Sequence, residues 1–381
     1  MADAAGHKNA RGVIAAGAIG NVLEWYDFAV YGYFAAAIGR AFFPSQDPVA
    51  QVLAAFGIFA VGFLMRPVGG ALIGTIGDKL GRKAALTVSV AAMAIPTFLV
   101  GVLPDYQAIG IAAPILLTVL RMVQGLSVGG EYTTSIIFII EHAPANRRGL
   151  IGALGCCGAV AGILLGSATG ALLASVMSEP ALESWGWRIP FLLGLVVGIA
   201  GVVLRRHVQE APRQESKGRS PLLDTVRNHG PLLARLAGLS VFNSVGFYLM
   251  FVYIVSWLQF ADGIAPAKAL EINSISMVVL LPVMVMMGWL SDRYGRRPVM
   301  LAAAGLGVVG ALPFFWLMHQ GDVALVLLGQ LGFVLAVGGF LGGQPAMMVE
   351  AVPAEIRCTA IALGYNVTLG VVGGFSPLIA T

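Results

Sequence analysis

The chain has 381 residues, of which 58% are hydrophobic and only 11% are charged. A soluble domain carries roughly a quarter charged residues, so 23 Lys and Arg with 19 Asp and Glu are too few to wet a soluble surface of this size. A soluble enzyme, a secreted disulfide scaffold and a disordered chain are excluded in favour of an all-α membrane protein, and the net charge of +4 gives no sign of a nucleic-acid partner.

Apolar runs of about 20 residues separated by short polar loops predict membrane spans. In chain order they fall at 13–37, 52–76, 84–103, 109–136, 149–174, 189–205, 235–259, 271–290, 298–318, 323–347 and 358–381, eleven in all. The N-terminus, MADAAGHKNARG, leads straight into the first run without a short apolar core and cleavage site, so no signal peptide is expected. Most Lys and Arg residues lie in alternate connections, whereas the opposite loops hold only Arg40, Arg188 and Lys268. That asymmetry predicts a cytoplasmic N-terminus and a multi-pass protein of the cell (inner or plasma) membrane. Residues 205–234 (beginning RRHVQEAPRQESKGRSP) read as a cytoplasmic linker with room for a short interfacial helix, dividing an N-terminal six-helix bundle (1–204) from a C-terminal bundle (235–381). Cys156, Cys157 and Cys358 read as packing residues. There is no metal-ligand spacing, and no nucleophile–base pair suggests an enzyme.

The two halves repeat one another. Gly74, Asp78, Lys79, Gly81, Arg82 and Lys83 recur as Gly288, Asp292, Arg293, Gly295, Arg296 and Arg297. The pattern E-x-x-P-x-x-x-R runs from Glu141 to Arg148 and again from Glu350 to Arg357. The doubled G-x-x-x-D-[RK]-x-G-[RK]-[RK] resembles the loop signature of the major facilitator superfamily, and Arg121, Gln124 and Gly125 resemble its R-x-x-Q-G motif. GNVLEWYDFAVYGY (20–33), FLMRPVGG (63–70), QGLSVGGEYTTS (124–135) and GWRIPFLLG (186–194) resemble the metabolite:proton symporter branch, most of all its proline/betaine members. That branch also holds importers of shikimate, citrate and 2-oxoglutarate. The resemblance implies two six-helix bundles. Against it, a twelfth span is expected to be missing from the sequence.

Ionisable groups within spans are costly and mark function. Five are present: Glu24, Asp27, Arg66, Arg121 and Glu131. Glu24 and Asp27 share a side of the first helix at i and i+3, at a depth matching Arg121. The resemblance makes Asp27–Arg121 the favoured proton switch: the carboxylate is held ionised beside the guanidinium and takes a proton when the contact loosens. Glu24 is the alternative carrier. Glu131 is expected to relay the proton or close an inner gate, and Arg66 to pair with Glu131 or bind a substrate carboxylate. Asp78 and Asp292 are expected to dock on helix N-termini of the opposite bundle, forming a cytoplasmic latch with Arg82, Glu141, Arg148, Arg296, Glu350 and Arg357. Tyr26, Arg66, Arg121, Gln124 and Asn243 are the expected substrate contacts. Trp25, Tyr31, Tyr248 and Tyr253 are candidates, with Tyr26, to surround a quaternary ammonium by cation–π contact.

The resulting expectation is proton-coupled import of a small polar metabolite by alternating access. A zwitterion such as proline or betaine is preferred, with mono- and dicarboxylates next. Efflux or uncoupled transport and a non-transporting sensor are the alternatives. The Gly-rich fifth span (GCCGAVAGILLG) lacks the Pro of drug/proton antiporters, which weighs against efflux. The expected partners are the bilayer, the small-molecule substrate and protons. The expected state is a functional monomer, with no cofactor and a proton gradient as energy source.

Overall fold

The structure, a computed structural model, describes residues 2–44, 47–206, 221–254, 257–258, 262–264 and 266–373. Among the described residues there are helices and no strand. In order they are α1 (Ala2–Tyr33), α2 (Ala35–Phe42), α3 (Pro48–Leu64), α4 (Arg66–Leu80), α5 (Arg82–Val102), α6 (Tyr106–Ile109), α7 (Ala112–Glu141), α8 (Arg148–Val176), α9 (Glu179–Ser184), α10 (Ile189–Arg206), α11 (Pro221–Asn228), α12 (Gly230–Tyr248), α13 (Pro266–Tyr294), α14 (Arg296–Met318), α15 (Val323–Ala351) and α16 (Arg357–Thr368). Short single turns join several of them.

Nine helical stretches among the described residues are long and apolar enough to cross a membrane. A tenth, Arg357–Val372, is apolar but shorter, and the end of that expected span, 374–381, lies outside the described residues. The expected first span falls in α1, 32 residues long, where Asn21, Glu24 and Asp27 dilute the apolar run. The expected second span is two helices: α3 ends at Leu64 and α4 begins at Arg66. Pro67 explains the break, because it has no N–H to give to the preceding turn. Of the expected linker, 207–220 lies outside the described residues. Helices occupy the rest, with α11 where a short helix had room and α12 starting ahead of the expected boundary.

Helices α1, α4, α5, α7, α8 and α10 pack mainly on one another, as do α13, α14 and α15, while α12 lies against α15 and α16. Between these groups α8 lies against α13 and α15, and α16 against α4 and α7. Glycines set the closest approaches, since without a hydrophobic drive between helices the van der Waals fit decides which faces meet. Along α8, Gly158, Gly162 and Gly166 face Ala18, Val22 and Tyr26 of α1. On α7, Gly125 and Gly129 face the backbone of Gly62 and Arg66. The two repeated loops share an unusual backbone: Gly81 and Gly295 have φ of 98° and 95°, a left-handed conformation in which a side chain would be strained.

Candidate functional site

Two carboxylate–arginine pairs sit side by side in the N-terminal half. Asp27 and Arg121 are fully buried and 2.5 Å apart. The Asp27 carboxylate also accepts hydrogen bonds from Gln124 Nε2 and Thr97 Oγ1, both at 2.9 Å. The Arg121 guanidinium lies 3.8 Å from the centroid of the Tyr31 ring, and the Tyr31 hydroxyl donates to the Ala55 carbonyl. A buried charge survives only when paired and hydrogen-bonded; the Asp27 carboxylate meets both conditions, while Arg121 bonds through Nη1 and its Nε and Nη2 have no hydrogen-bond partner.

The second pair is looser. Glu24 and Arg66 are each 1% exposed, yet Arg66 Nη2 stands 3.8 Å from Glu24 Oε1. Neither Glu24 oxygen has a hydrogen bond, and Arg66 Nη1 has none. Arg66 Nε donates to Asn366 Oδ1 of α16 at 3.3 Å, and Asn366 Nδ2 donates to the Gly129 carbonyl at 2.5 Å. Arg66 therefore ties both halves together.

The structure corrects several expected contacts. Arg66 takes Glu24 and Asn366, not Glu131, because α4 presents it toward α1 and α16. Glu131 instead accepts a hydrogen bond from Ser89 of α5. Tyr26 does not line the central cavity: it is 2% exposed in the N-terminal core, and its hydroxyl donates to the Pro190 carbonyl of α10. Gln124 and Arg121 are committed to Asp27. Tyr31 belongs to the Asp27–Arg121 pair and not to an aromatic enclosure.

Such an enclosure exists with partly different members. A small cavity of about 40 Å³ between the halves is lined by Trp25, Tyr132, Phe247, Tyr248, Tyr365 and Asn243, among others. Asn243, Trp25 and Tyr248 were expected there, and Tyr132 and Tyr365 were not. Those two rings stack at 5.0 Å from opposite halves, while Trp25 meets Phe247 edge-on at 5.8 Å. The sequence signal for Tyr132 was its place beside Glu131 in GGEYTTS. Tyr365 had no such signal. The Trp25 Nε1 and Tyr248 hydroxyl atoms are buried without a partner.

At one end of the molecule both repeated motifs form closed latches. Asp78 accepts the backbone N–H of Cys358 and Thr359 at 3.1 and 2.9 Å, and the Thr359 hydroxyl at 2.7 Å. Asp292 accepts the N–H of Gly149 and Leu150, both at 2.8 Å. Each aspartate thus caps a helix N-terminus in the other half, where unpaired N–H groups and the helix dipole favour negative charge. Glu141 pairs with Arg82 at 3.2 Å and with Arg357 at 2.7 Å. Its counterpart Glu350 pairs with Arg296 at 3.1 Å and with Arg148 at 3.9 Å. The acid of each E-x-x-P-x-x-x-R segment therefore reaches the arginine of the other. Among the described residues no cluster of His, Cys, Asp or Glu is arranged to hold a metal.

Known proteins are similar to this chain in sequence and in fold. The sugar (and other) transporter family matches residues 13–216 and 267–376. A glycine betaine/proline/ectoine/pipecolic acid transporter of Dickeya dadantii is 36% identical over 97% of this chain and 77% of its own length. A proline/betaine transporter of Escherichia coli aligns equally well. Among solved structures, the proton:xylose symporter XylE bound to 6-bromo-6-deoxy-D-glucose superposes with a TM-score of 0.81 at 19% identity, covering 98% of this chain and 88% of that one. The human organic anion transporter MFSD10 superposes at 0.67 and 16% identity, covering 97% and 93%. With a repeated loop motif, crosswise latches and a buried polar centre between two helical halves, the chain belongs to the sugar (and other) transporter family of the major facilitator superfamily, and is a multi-pass membrane transporter and not an enzyme.

Proposed function

We propose that the protein imports a small zwitterionic osmolyte of the proline/betaine kind by proton symport, through alternating access of a site between two bundles, 1–204 and 235–381. The observation that carries the reading is the cavity walled by Trp25, Tyr132, Phe247, Tyr248 and Tyr365 beside the Glu24–Arg66 pair. Aromatic faces attract a cation that has no hydrogen-bond donors to satisfy, and a buried arginine suits a carboxylate. The names of the aligned relatives support the same substrate class.

The site is closed around its own side chains. About 40 Å³ is far below the roughly 300–1,000 Å³ of ligand pockets, so loading requires the bundles to part. We assign the latched end to the cytoplasm of a cell membrane, from the distribution of Lys and Arg. The shut latches then hold the inner side closed while substrate enters from outside. Asp27 with Arg121 is the switch that rocking must loosen: paired here, it takes a proton when Arg121 withdraws. The protein works as a monomer, and the proton gradient replaces any cofactor.

The test is uptake of radiolabelled glycine betaine, proline, citrate and xylose into proteoliposomes, with and without an inward proton gradient. Gradient-dependent accumulation of glycine betaine or proline is expected. Accumulation of citrate or xylose alone would refute the substrate class, and equal uptake without the gradient would refute symport.

A further inference from the structure

Five buried polar atoms without hydrogen-bond partners lie in one region: both Glu24 carboxylate oxygens, Arg66 Nη1, Trp25 Nε1 and the Tyr248 hydroxyl. Trp25 and Tyr248 line the central cavity. The Tyr248 hydroxyl is within electrostatic range of both Glu24 and Arg66, and Tyr365, another cavity wall, is within range of Arg66. A buried polar group left unpaired is expensive, so such a concentration is the mark of a site whose partner comes and goes. The Asp27 carboxylate, a turn away, is the contrast among the acids: three donors hold it, and the unpaired atoms beside it are on Arg121 and Gln124. The two acids of α1 have different duties.

We propose that Glu24 is the internal stand-in for the substrate's carboxylate. Resting on the zwitterion reading above, Arg66 binds that carboxylate, and Glu24, displaced from Arg66, takes a proton as the substrate arrives. In this exchange the closed, empty site holds Glu24 as the carboxylate facing Arg66 across 3.8 Å, too far for a hydrogen bond, with Glu131 of α7 the other charged group acting on it. An entering carboxylate has the free Nη1 to accept from, with the Tyr248 hydroxyl as a second donor, while the aromatic rings take its cationic end. Two carboxylates on one guanidinium repel, and a like charge at that distance favours protonation of one of them. The proton comes from the outer aqueous phase and ends on a Glu24 oxygen, where no hydrogen bond has to be broken to receive it. No covalent bond of the substrate changes. A neutral zwitterion and the Glu24 proton thus occupy the site together, and the proton that Asp27 takes when Arg121 withdraws is a second one, taken in the later rocking step. When the substrate leaves on the other side, Arg66 is again uncovered, Glu24 releases its proton there, and the internal pair re-forms. Substrate and proton are coupled because they compete for, or vacate, the same arginine.

Binding to the purified full chain tests this, with intrinsic tryptophan fluorescence or calorimetry as readout and two probes, glycine betaine and choline. Choline has the same cationic end but no carboxylate. In the wild type, glycine betaine affinity should fall by about tenfold per pH unit once Glu24 ionises, because one proton is linked to each ligand bound. Choline affinity should not follow that slope. Glu24→Gln should abolish the slope and tighten glycine betaine binding at least tenfold at high pH, leaving choline unchanged. Arg66→Gln should remove the preference for glycine betaine over choline. Retained choline binding is the control for a folded site. Should Arg66→Gln fail to fold, Arg66→Lys, which keeps the charge without the fork, is expected to weaken glycine betaine binding alone. An unchanged pH slope in Glu24→Gln, or an unchanged preference in both Arg66 variants, would overturn the exchange. Absence of glycine betaine binding by the wild type would overturn the zwitterion reading itself and the exchange with it.

Discussion

At the scale of single residues, the two helix-one acids differ in what surrounds them. Asp27 accepts from Arg121, Gln124 and Thr97, whereas neither oxygen of Glu24 accepts a hydrogen bond. Asp27→Asn keeps the shape of the side chain and one acceptor oxygen but cannot carry a proton. Gradient-driven accumulation should then fall to what the Glu24 proton alone can drive, while exchange of labelled for unlabelled substrate across the membrane persists. A counterflow assay beside an uphill-uptake assay separates the two, and full uphill uptake in this variant would remove Asp27 as the switch. Because binding precedes the switch, the pH slope for glycine betaine should survive in Asp27→Asn and vanish only in Glu24→Gln. The depth of Glu24, Asp27 and Arg121 was readable from their places along the helices, and so was the need of each for a partner. Which acid met which arginine was not. Helical spacing places a side chain on a face, but the rotation of α4 against α1 and α16, fixed by packing, chose Glu24 and Asn366 for Arg66.

At the scale of elements, close approach of α4 and α7 depends on glycine. A Cβ on Gly129 would meet the backbone of Arg66 and Gly70, atoms that no side-chain rotation can move away. Gly129→Ala should force the helices apart, with a cost of about 1–3 kcal/mol, typical of overpacking. It should also disturb Arg66 and the Asn366 hydrogen bond to the Gly129 carbonyl. A lower thermal midpoint in detergent together with weakened glycine betaine binding is the expected result. An unchanged midpoint would mean that the two helices have slack the packing does not suggest. The glycine stripe of α8 was visible as a four-residue spacing, and it does carry a close helix contact, with α1. The break in the second span was less visible, since an apolar run continues through Met65 and only Pro67 signals it.

At the scale of the whole molecule, the repeat becomes a pair of crossed fastenings. Asp78 and Asp292 cap helices of opposite halves, and Glu141–Arg357 and Glu350–Arg148 cross between the same ends. Removing both aspartate charges in Asp78→Asn/Asp292→Asn should shift the population toward the form open at the latched end. The dipole part of each contact is worth roughly 0.3–2 kcal/mol, and 1.4 kcal/mol changes a ratio tenfold. Cysteines introduced beneath the latches should therefore label faster from that end and more slowly from the other. Equal labelling would reduce the motifs to topological signals. Hydrophobic content, span spacing, the doubled motif and the charged residues within spans are properties of the chain in order, because lipid demands long apolar helices and penalises every exception to them. Those features by themselves specify a two-part helical transporter. Only the tertiary structure decided that Tyr26 belongs to a core, that Tyr132 and Tyr365 meet from opposite halves, and that Glu24 keeps a carboxylate without hydrogen bonds beside Arg66. Such facts depend on which faces of distant helices turn toward each other. That choice is made by close packing of small residues across the whole molecule, and no local run of sequence contains it.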